Sequence, residues 1–295
     1  MKYLNLDKNF SPFGKSITFE SFTFSGGEPH IKILEEINEG EEITITTHIK
    51  SFNDVGILLL ATDALRRMGI EKIDLFLPYF PAARQDRLMT MGEPLSVKVY
   101  ADIINAQNYQ SVTILDPHSD VAPALLNRVK NISNHNFVTK CLRSITDCVL
   151  IAPDGGALKK VYQLSQSLGG IPVVECSKLR NVKTGKLSGF KVYTDDLEGK
   201  TCVIVDDICD GGGTFLGLAE KLKAKNCGKL ILIVTHGIFS QGLEKLEGVF
   251  DKIYTTDSYP LTPKGEYGSA LSKLHVIKIN EALLKPQRSI AAIKN

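Results

Sequence analysis

The stretch that most constrains the fold is Thr201 to Thr214, TCVIVDDICDGGGT. Its apolar run, Cys202 to Val205, is uninterrupted rather than alternating, which predicts a strand covered on both faces, as in a parallel sheet between helices. The strand ends in adjacent carboxylates, Asp206 and Asp207. Asp210, Gly211, Gly212, Gly213 and Thr214 follow, and then the helix-like FLGLAEKLKAK. Glycines at such a strand-to-helix turn let backbone N–H groups approach a phosphate, and the helix start adds partial positive charge. The paired acids suit vicinal sugar hydroxyls or a hydrated Mg²⁺. A phosphorylated ribose fits both halves of this loop.

The same rhythm of apolar strand, polar turn and helix recurs along the chain. Ile43, Ile45 and Ile49 alternate as a strand, and a helix follows through Met68, capped by Asn53 or Asp54, with Ile57, Leu58, Ala61 and Leu65 on its apolar face. Ile73 to Phe80 forms a strand running into Arg84, Gln85, Asp86 and Arg87, so guanidinium groups and an amide stand where α/β sheets bind ligands. Val112 to Asp116 ends in Asp116-Pro117-His118, an acid and an imidazole suited to metal or phosphate. Before these, Ile17, Phe19, Phe22 and Phe24 have strand spacing with a slip near Glu20-Ser21 that predicts a bulge or a break between two short strands, and Phe24 to Glu28, with Gly26 and Gly27, reads as a hairpin turn.

In the second half, CVLIAPDGGALKK places Asp154 and two glycines at a strand end, and Ile171 to Cys176 feeds Lys178 and Arg180. Those two side chains point the same way on an extended segment. The polar run from Asn181 to Phe190 has the composition of a mobile flap. Lys229 to Gly237, Ile253 to Ser258 and Leu274 to Ile279 supply further strands. The polar stretch Asn127 to Lys140 reads as the junction between two domains, 1–139 and 140–279.

With 35 basic and 33 acidic residues the chain has no field for a polyanion, so no nucleic-acid partner is expected. The six cysteines contain no CxxC pair and read as buried free thiols of a reducing compartment. MKYLNLDKNF has no apolar signal core and no stretch has the length of a membrane span, so a cytoplasmic protein without a membrane partner is expected.

Taken in order, PYFPAARQDR, the Lys178-x-Arg180 pair, VDDICDGGGT and THGIFS (Thr235 to Ser240) resemble the ribose-phosphate diphosphokinases, over about Phe22 to Ile279. The loop alone is also similar to that of type I phosphoribosyltransferases, which lack the amino-terminal domain carrying Arg84 and Gln85. The resemblance implies an α/β fold of two tandem type I phosphoribosyltransferase-like domains, each a mainly parallel sheet flanked by helices, with the last helix, 280–295, joining the first domain. It implies a dimer or hexamer of identical subunits. It further implies Mg²⁺-dependent transfer of the diphosphoryl group of ATP to ribose 5-phosphate, giving phosphoribosyl diphosphate and AMP. ATP then falls on Phe24, Gly26, Gly27, Glu28, Arg84, Gln85 and Asp86. Ribose 5-phosphate falls on Arg180, Asp206, Asp207 and Asp210 to Thr214, Mg²⁺ on His118, Asp154 and Asp116, and catalysis on Lys178 with Arg180.

The sequence departs from the family in several places. Gly26 stands where the family usually has an aspartate, so nucleoside triphosphates other than ATP are expected to be accepted more readily. Ala157 replaces a glycine of the second phosphate loop. THGIFSQG and the tail PQRSIAAIKN differ from segments serving ADP inhibition and phosphate activation, so weakened allosteric control is expected.

Overall fold

Ile43 and Ile45 pack on one side of their strand while Thr44 and Thr46 are buried on the other, so the first sheet has covered faces on both sides. The computed structural model describes residues 1–180, 187–261 and 272–283, with backbone alone at 179, 180, 187 and 188. The chain divides into two units, Met1–Ser133 and Asn134–Asn295.

The first unit runs β1 (Lys2–Asn5), β2 (Phe19–Thr23), β3 (Pro29–Ile33), β4 (Ile43–Thr46), α1 (Phe52–Arg67), β5 (Ile73–Leu77), α2 (Ser96–Ala106), β6 (Ser111–Leu115), α3 (Val121–Leu125) and β7 (Val129–Ile132). Its parallel five-stranded sheet has the order β1-β4-β5-β6-β7. The Asp54 carboxylate accepts the Ser51 backbone N–H at 2.8 Å, so Ser51 is the N-cap of α1, one turn before the cap expected at Asn53 or Asp54. Leu58, Ala61 and Leu65 then face the core.

β2 and β3 form a separate antiparallel hairpin with continuous register from Phe19↔Ile33 to Thr23↔Pro29. The bulge expected near Glu20 is therefore absent from this pairing. Ile17 instead donates its N–H to Tyr3, outside the hairpin, which breaks the assumed run of alternation.

The second unit runs α4 (His135–Leu142), β8 (Cys148–Ala152), α5 (Leu158–Ser167), β9 (Val173–Arg180), β10 (Leu187–Val192), β11 (Thr201–Cys209), α6 (Gly213–Lys223), β12 (Leu230–Gly237), α7 (Glu244–Glu247), β13 (Lys252–Thr256), β14 (Leu274–Ile277) and α8 (Ile279–Leu283). The sheet order is β10-β9-β8-β11-β12-β13-β14, parallel except for the β9–β10 hairpin. Cys202, Ile204, Leu230, Leu232 and Val234 pack into one core with Phe215, Leu218 and Leu222 of α6. Val203, Val205, Ile231 and Ile233 pack into the other with α4 and α5. This alternation is why the apolar runs are uninterrupted: each face of the strands meets its own helical layer.

Two expected boundaries move. The stretch Asn127 to Lys140 is not a linker: β7 pairs with β6 and completes the first sheet, and α4 opens the second unit through Phe137, Val138, Cys141 and Leu142. The division falls after Ser133 rather than after residue 139. α8, the described start of the segment expected to join the first domain, lies in the second unit. There the Lys140 ammonium donates to Glu281 at 2.5 Å and the Asn136 amide to the Leu283 carbonyl at 3.3 Å. The rest of that segment, 284–295, and flap residues 181–186 lie outside the described residues.

Candidate active site

In the second unit, β11 delivers Asp206 and Asp207 at its carboxyl-terminal half, and the chain turns through Asp210 into α6. The turn needs a left-handed residue, and Gly212 supplies it with φ +76° as the residue preceding α6. A Cβ there would also lie 3.1 Å from Leu246, so a side chain is excluded by backbone and neighbour alike. Gly211 and Gly213 are exposed, and Thr214 follows in the first turn of α6, leaving the N–H groups of this stretch at the surface of a helix start.

Asp207 is buried, and its N–H donates to Asp206 Oδ1 at 3.0 Å. Removal from water, and then the neighbouring Asp207 carboxylate, push the Asp206 carboxyl well above the usual carboxylate range. The Asp206 carboxyl is thus harder to charge than an ordinary aspartate. Asn134 and Lys160 share a small cavity with both acids. Neither stands out in the sequence, because Lys160 is one of two adjacent lysines on α5 and Asn134 sits in a polar stretch. Their only signal is position next to the acid pair in three dimensions.

At the end of β8, Asp154 Oδ1 accepts the N–H groups of Gly156 and Ala157 at 3.0 and 3.2 Å. Its Oδ2 pairs with Lys178 Nζ of β9 at 2.6 Å, with both side chains about a quarter exposed. The structure thus brings together two predicted residues that lie 24 positions apart. The lysine ammonium stands where a cation on Asp154 would stand. Arg180 closes β9, and its side chain lies outside the described residues.

A buried polar network braces the strand ends beside this loop. His236 Nδ1 and the Ser258 hydroxyl are 2.7 Å apart, and Ser258 and Thr256 donate to the Thr235 carbonyl at 2.9 and 2.7 Å. His236 lies opposite Ile208 in the register, two residues before Asp210. The THG motif signalled this position, but the partners on β13 were not legible.

In the first unit, Phe24 closes the β2–β3 turn by donating its N–H to the Glu28 carbonyl at 2.8 Å, and Gly27 donates to the Phe24 carbonyl at 2.8 Å. Phe22, Phe24 and His30 form an exposed aromatic cluster with ring centroids 4.9 to 5.6 Å apart. A Cβ on Gly26 would lie 2.5 Å from Glu28 Oε2, the end of an exposed, flexible side chain that can move aside. Arg84, Gln85 and Asp86 follow β5 on a turn in which Gln85 donates to the Ala82 carbonyl at 2.8 Å. Arg84 and Gln85 are exposed. Asp116, in a left-handed conformation (φ 39°), is buried at the end of β6, and His118 is exposed two residues on.

Among the described residues no group of three or more His, Cys, Asp and Glu is arranged to hold a metal ion by itself. The donors that are present suit Mg²⁺, which keeps water and takes one or two carboxylates together with substrate phosphates. No helix of the described residues is long and apolar enough to cross a membrane.

Comparison with known proteins adds to this geometry. A family model described as the N-terminal domain of ribose phosphate pyrophosphokinase matches residues 15–107, and a phosphoribosyl transferase domain model matches residues 123–260. A ribose-phosphate pyrophosphokinase of Thermococcus kodakarensis is 30% identical over 251 residues, 83% of this chain and 87% of that protein. One from Vibrio cholerae is 29% identical over 275 residues, 91% and 86% of the two chains. The crystal structure of a phosphoribosylpyrophosphate synthetase from Mycobacterium smegmatis shares the fold, with a TM-score of 0.79 at 24% identity over 90% of this chain and 87% of that one. Matches of this length to whole proteins, with both family models in order along the chain, mean that the chain belongs to the ribose-phosphate pyrophosphokinase family.

Proposed function

We propose that this enzyme transfers the β,γ-diphosphoryl group of ATP to the 1-hydroxyl of ribose 5-phosphate in the presence of Mg²⁺, releasing AMP and 5-phosphoribosyl 1-diphosphate. The observation that carries the reading is the cradle in which Asp206 and Asp207 lead through left-handed Gly212 into α6. The backbone N–H groups from Gly211 to Thr214 bind the 5-phosphate, and Asp210 fixes the start of that loop. Asp206 and Asp207 exchange hydrogen bonds with the ribose hydroxyls.

Phe24, Gly26, Gly27 and Glu28 contact the ATP base, and Arg84, Gln85 and Asp86 hold its polar parts. Lys178 releases Asp154 and places its ammonium against the transferred diphosphoryl group, where negative charge develops, and Arg180 acts beside it. Mg²⁺ would be held by Asp154 in the second unit and by Asp116 and His118 in the first, and would supply charge neutralisation at phosphate oxygens. The transfer requires that the nucleotide and sugar-phosphate groups meet, within one subunit or across two of a dimer or hexamer. Once they are aligned, positioning and charge neutralisation supply most of the rate. The enzyme acts on small molecules in the cytoplasm.

The test is incubation with Mg²⁺, ATP and ribose 5-phosphate. The expected result is ribose 5-phosphate-dependent AMP, together with a product that an adenine phosphoribosyltransferase consumes. Release of ADP in place of AMP, or no turnover, would overturn the assignment.

A further inference from the structure

Two of the six cysteines form a pair that the candidate site does not use. Cys202, in the first turn of side chains of β11, is fully buried, whereas Cys227, in the turn between α6 and β12, is half-exposed; Cys141, Cys148, Cys176 and Cys209 are buried. The backbones that carry the pair are tied together. The Cys202 N–H donates to the Lys229 carbonyl at 2.8 Å and the Gly228 N–H to the Lys200 carbonyl at 3.0 Å. Cys202 Sγ lies 3.8 Å from the Lys200 carbonyl and Cys227 Sγ 3.6 Å from the Lys229 carbonyl. Both sulfurs are thus anchored to neighbouring rungs of one ladder, and Cys227 packs against the core cluster that contains Cys202.

The pair is chemically asymmetric. The neighbouring Cys227 thiol, and then burial, push the Cys202 thiol up. The same neighbour pulls Cys227 down, with Lys223 adding to the effect and partial burial and Asp251 opposing it. Cys227 is therefore both the accessible sulfur and the better nucleophile, and Cys202 is screened from solvent but already in contact with it.

We propose that Cys202 and Cys227 form a reversible intramolecular disulfide by exchange with a small-molecule disulfide. The Cys227 thiolate attacks one sulfur of the reagent, giving a mixed disulfide and one small thiolate. Cys202 then gives up its proton and attacks Cys227 Sγ, expelling the second thiolate. Two protein thiols are oxidised, the reagent's disulfide is reduced to two thiols, and the two protein-derived protons end on the released thiolates. The ring so closed, from 202 to 227, contains the whole Asp206 to Thr214 loop and α6. Cys202 precedes Asp206 by four residues of strand, roughly 13 Å. The cross-link therefore restrains the unfolded chain around the cradle without touching the cradle's polar atoms.

The test uses native full-length protein treated with oxidised glutathione, then acid quench, alkylation and peptide mass mapping without reductant. The expected product is the Cys202 peptide joined to the Cys227 peptide, lost on adding dithiothreitol, with a thermal midpoint raised by at least about 5 °C. Cys227→Ser abolishes the link. Cys202→Ser, or Cys202→Ala if the buried hydroxyl prevents folding, leaves glutathione on Cys227. Accumulation of a glutathione adduct on Cys227 of the unsubstituted protein, a link to Cys148 or Cys176 instead, or no reaction of Cys227 until the chain is unfolded in urea would each overturn the proposal.

Discussion

Replacing Lys178 by alanine separates a structural role for the lysine from a chemical one. In the free protein its ammonium sits 2.6 Å from Asp154 Oδ2, with side chains 25% and 28% exposed. A pair this close to water is worth about 1 kcal/mol net. Asp154 keeps its two backbone donors, from Gly156 and Ala157, so the loop stays anchored when the ammonium is lost. A loss of about 1 kcal/mol lowers the thermal midpoint by roughly 3 °C in a unit of this size. Removing a cation that faces charge developing in the transition state costs on the order of 3 kcal/mol, about a hundredfold in rate. Lys178→Ala is therefore expected to fold, to lose about 3 °C, and to release AMP some hundredfold more slowly. Affinity for ribose 5-phosphate, measured by calorimetry, should change less than about twofold, because apart from Arg180 the residues assigned to it lie on β11 and the turn into α6 and not on β9. Near-normal AMP release would remove Lys178 from the chemistry, and an equal loss of ribose 5-phosphate affinity would make it a binding residue.

Other perturbations test the cradle and the nucleotide turn. The raised Asp206 carboxyl keeps its proton in the folded state above the ordinary value of 3.8, where the unfolded chain has released it, so this group's contribution to stability falls as pH rises through that window. Asp206→Asn should flatten the fall in thermal midpoint of the substrate-free protein as pH rises above the ordinary carboxyl value of 3.8, and parallel slopes for the two proteins would refute the raised Asp206 carboxyl. Gly212→Ala forces an L-residue to φ +76° with its Cβ 3.1 Å from Leu246. A cost of about 2 kcal/mol is expected, with at least a tenfold rise in KM for ribose 5-phosphate, and an unchanged KM would show that the loop's backbone does not hold the phosphate. With Gly26 in the β2–β3 turn, turnover with GTP should come within about tenfold of that with ATP, a gap of at most roughly 1.4 kcal/mol; a much larger ATP preference in initial rates would refute that reading of the turn.

The residues themselves determined much of this protein. Uninterrupted apolar runs such as Cys202 to Val205 can be satisfied only by helices on both faces, and glycine at 212 marks the one backbone conformation that joins β11 to α6. Strand, acid pair, loop and helix are contiguous, so local physics suffices to read them. The tertiary structure alone decided what depends on distant partners. Lys178 meets Asp154 across two strands, Lys160 and Asn134 reach the acid pair from other helices, and α8 settles on α4 through Lys140 and Glu281. The polar composition of Asn127 to Lys140 imitates a linker because β7, with its outer residues exposed, needs few apolar side chains once β6 supplies its hydrogen bonds. The raised Asp206 carboxyl belongs to the same class: a sequence places two carboxylates side by side, but only removal from water sets the cost of charging both.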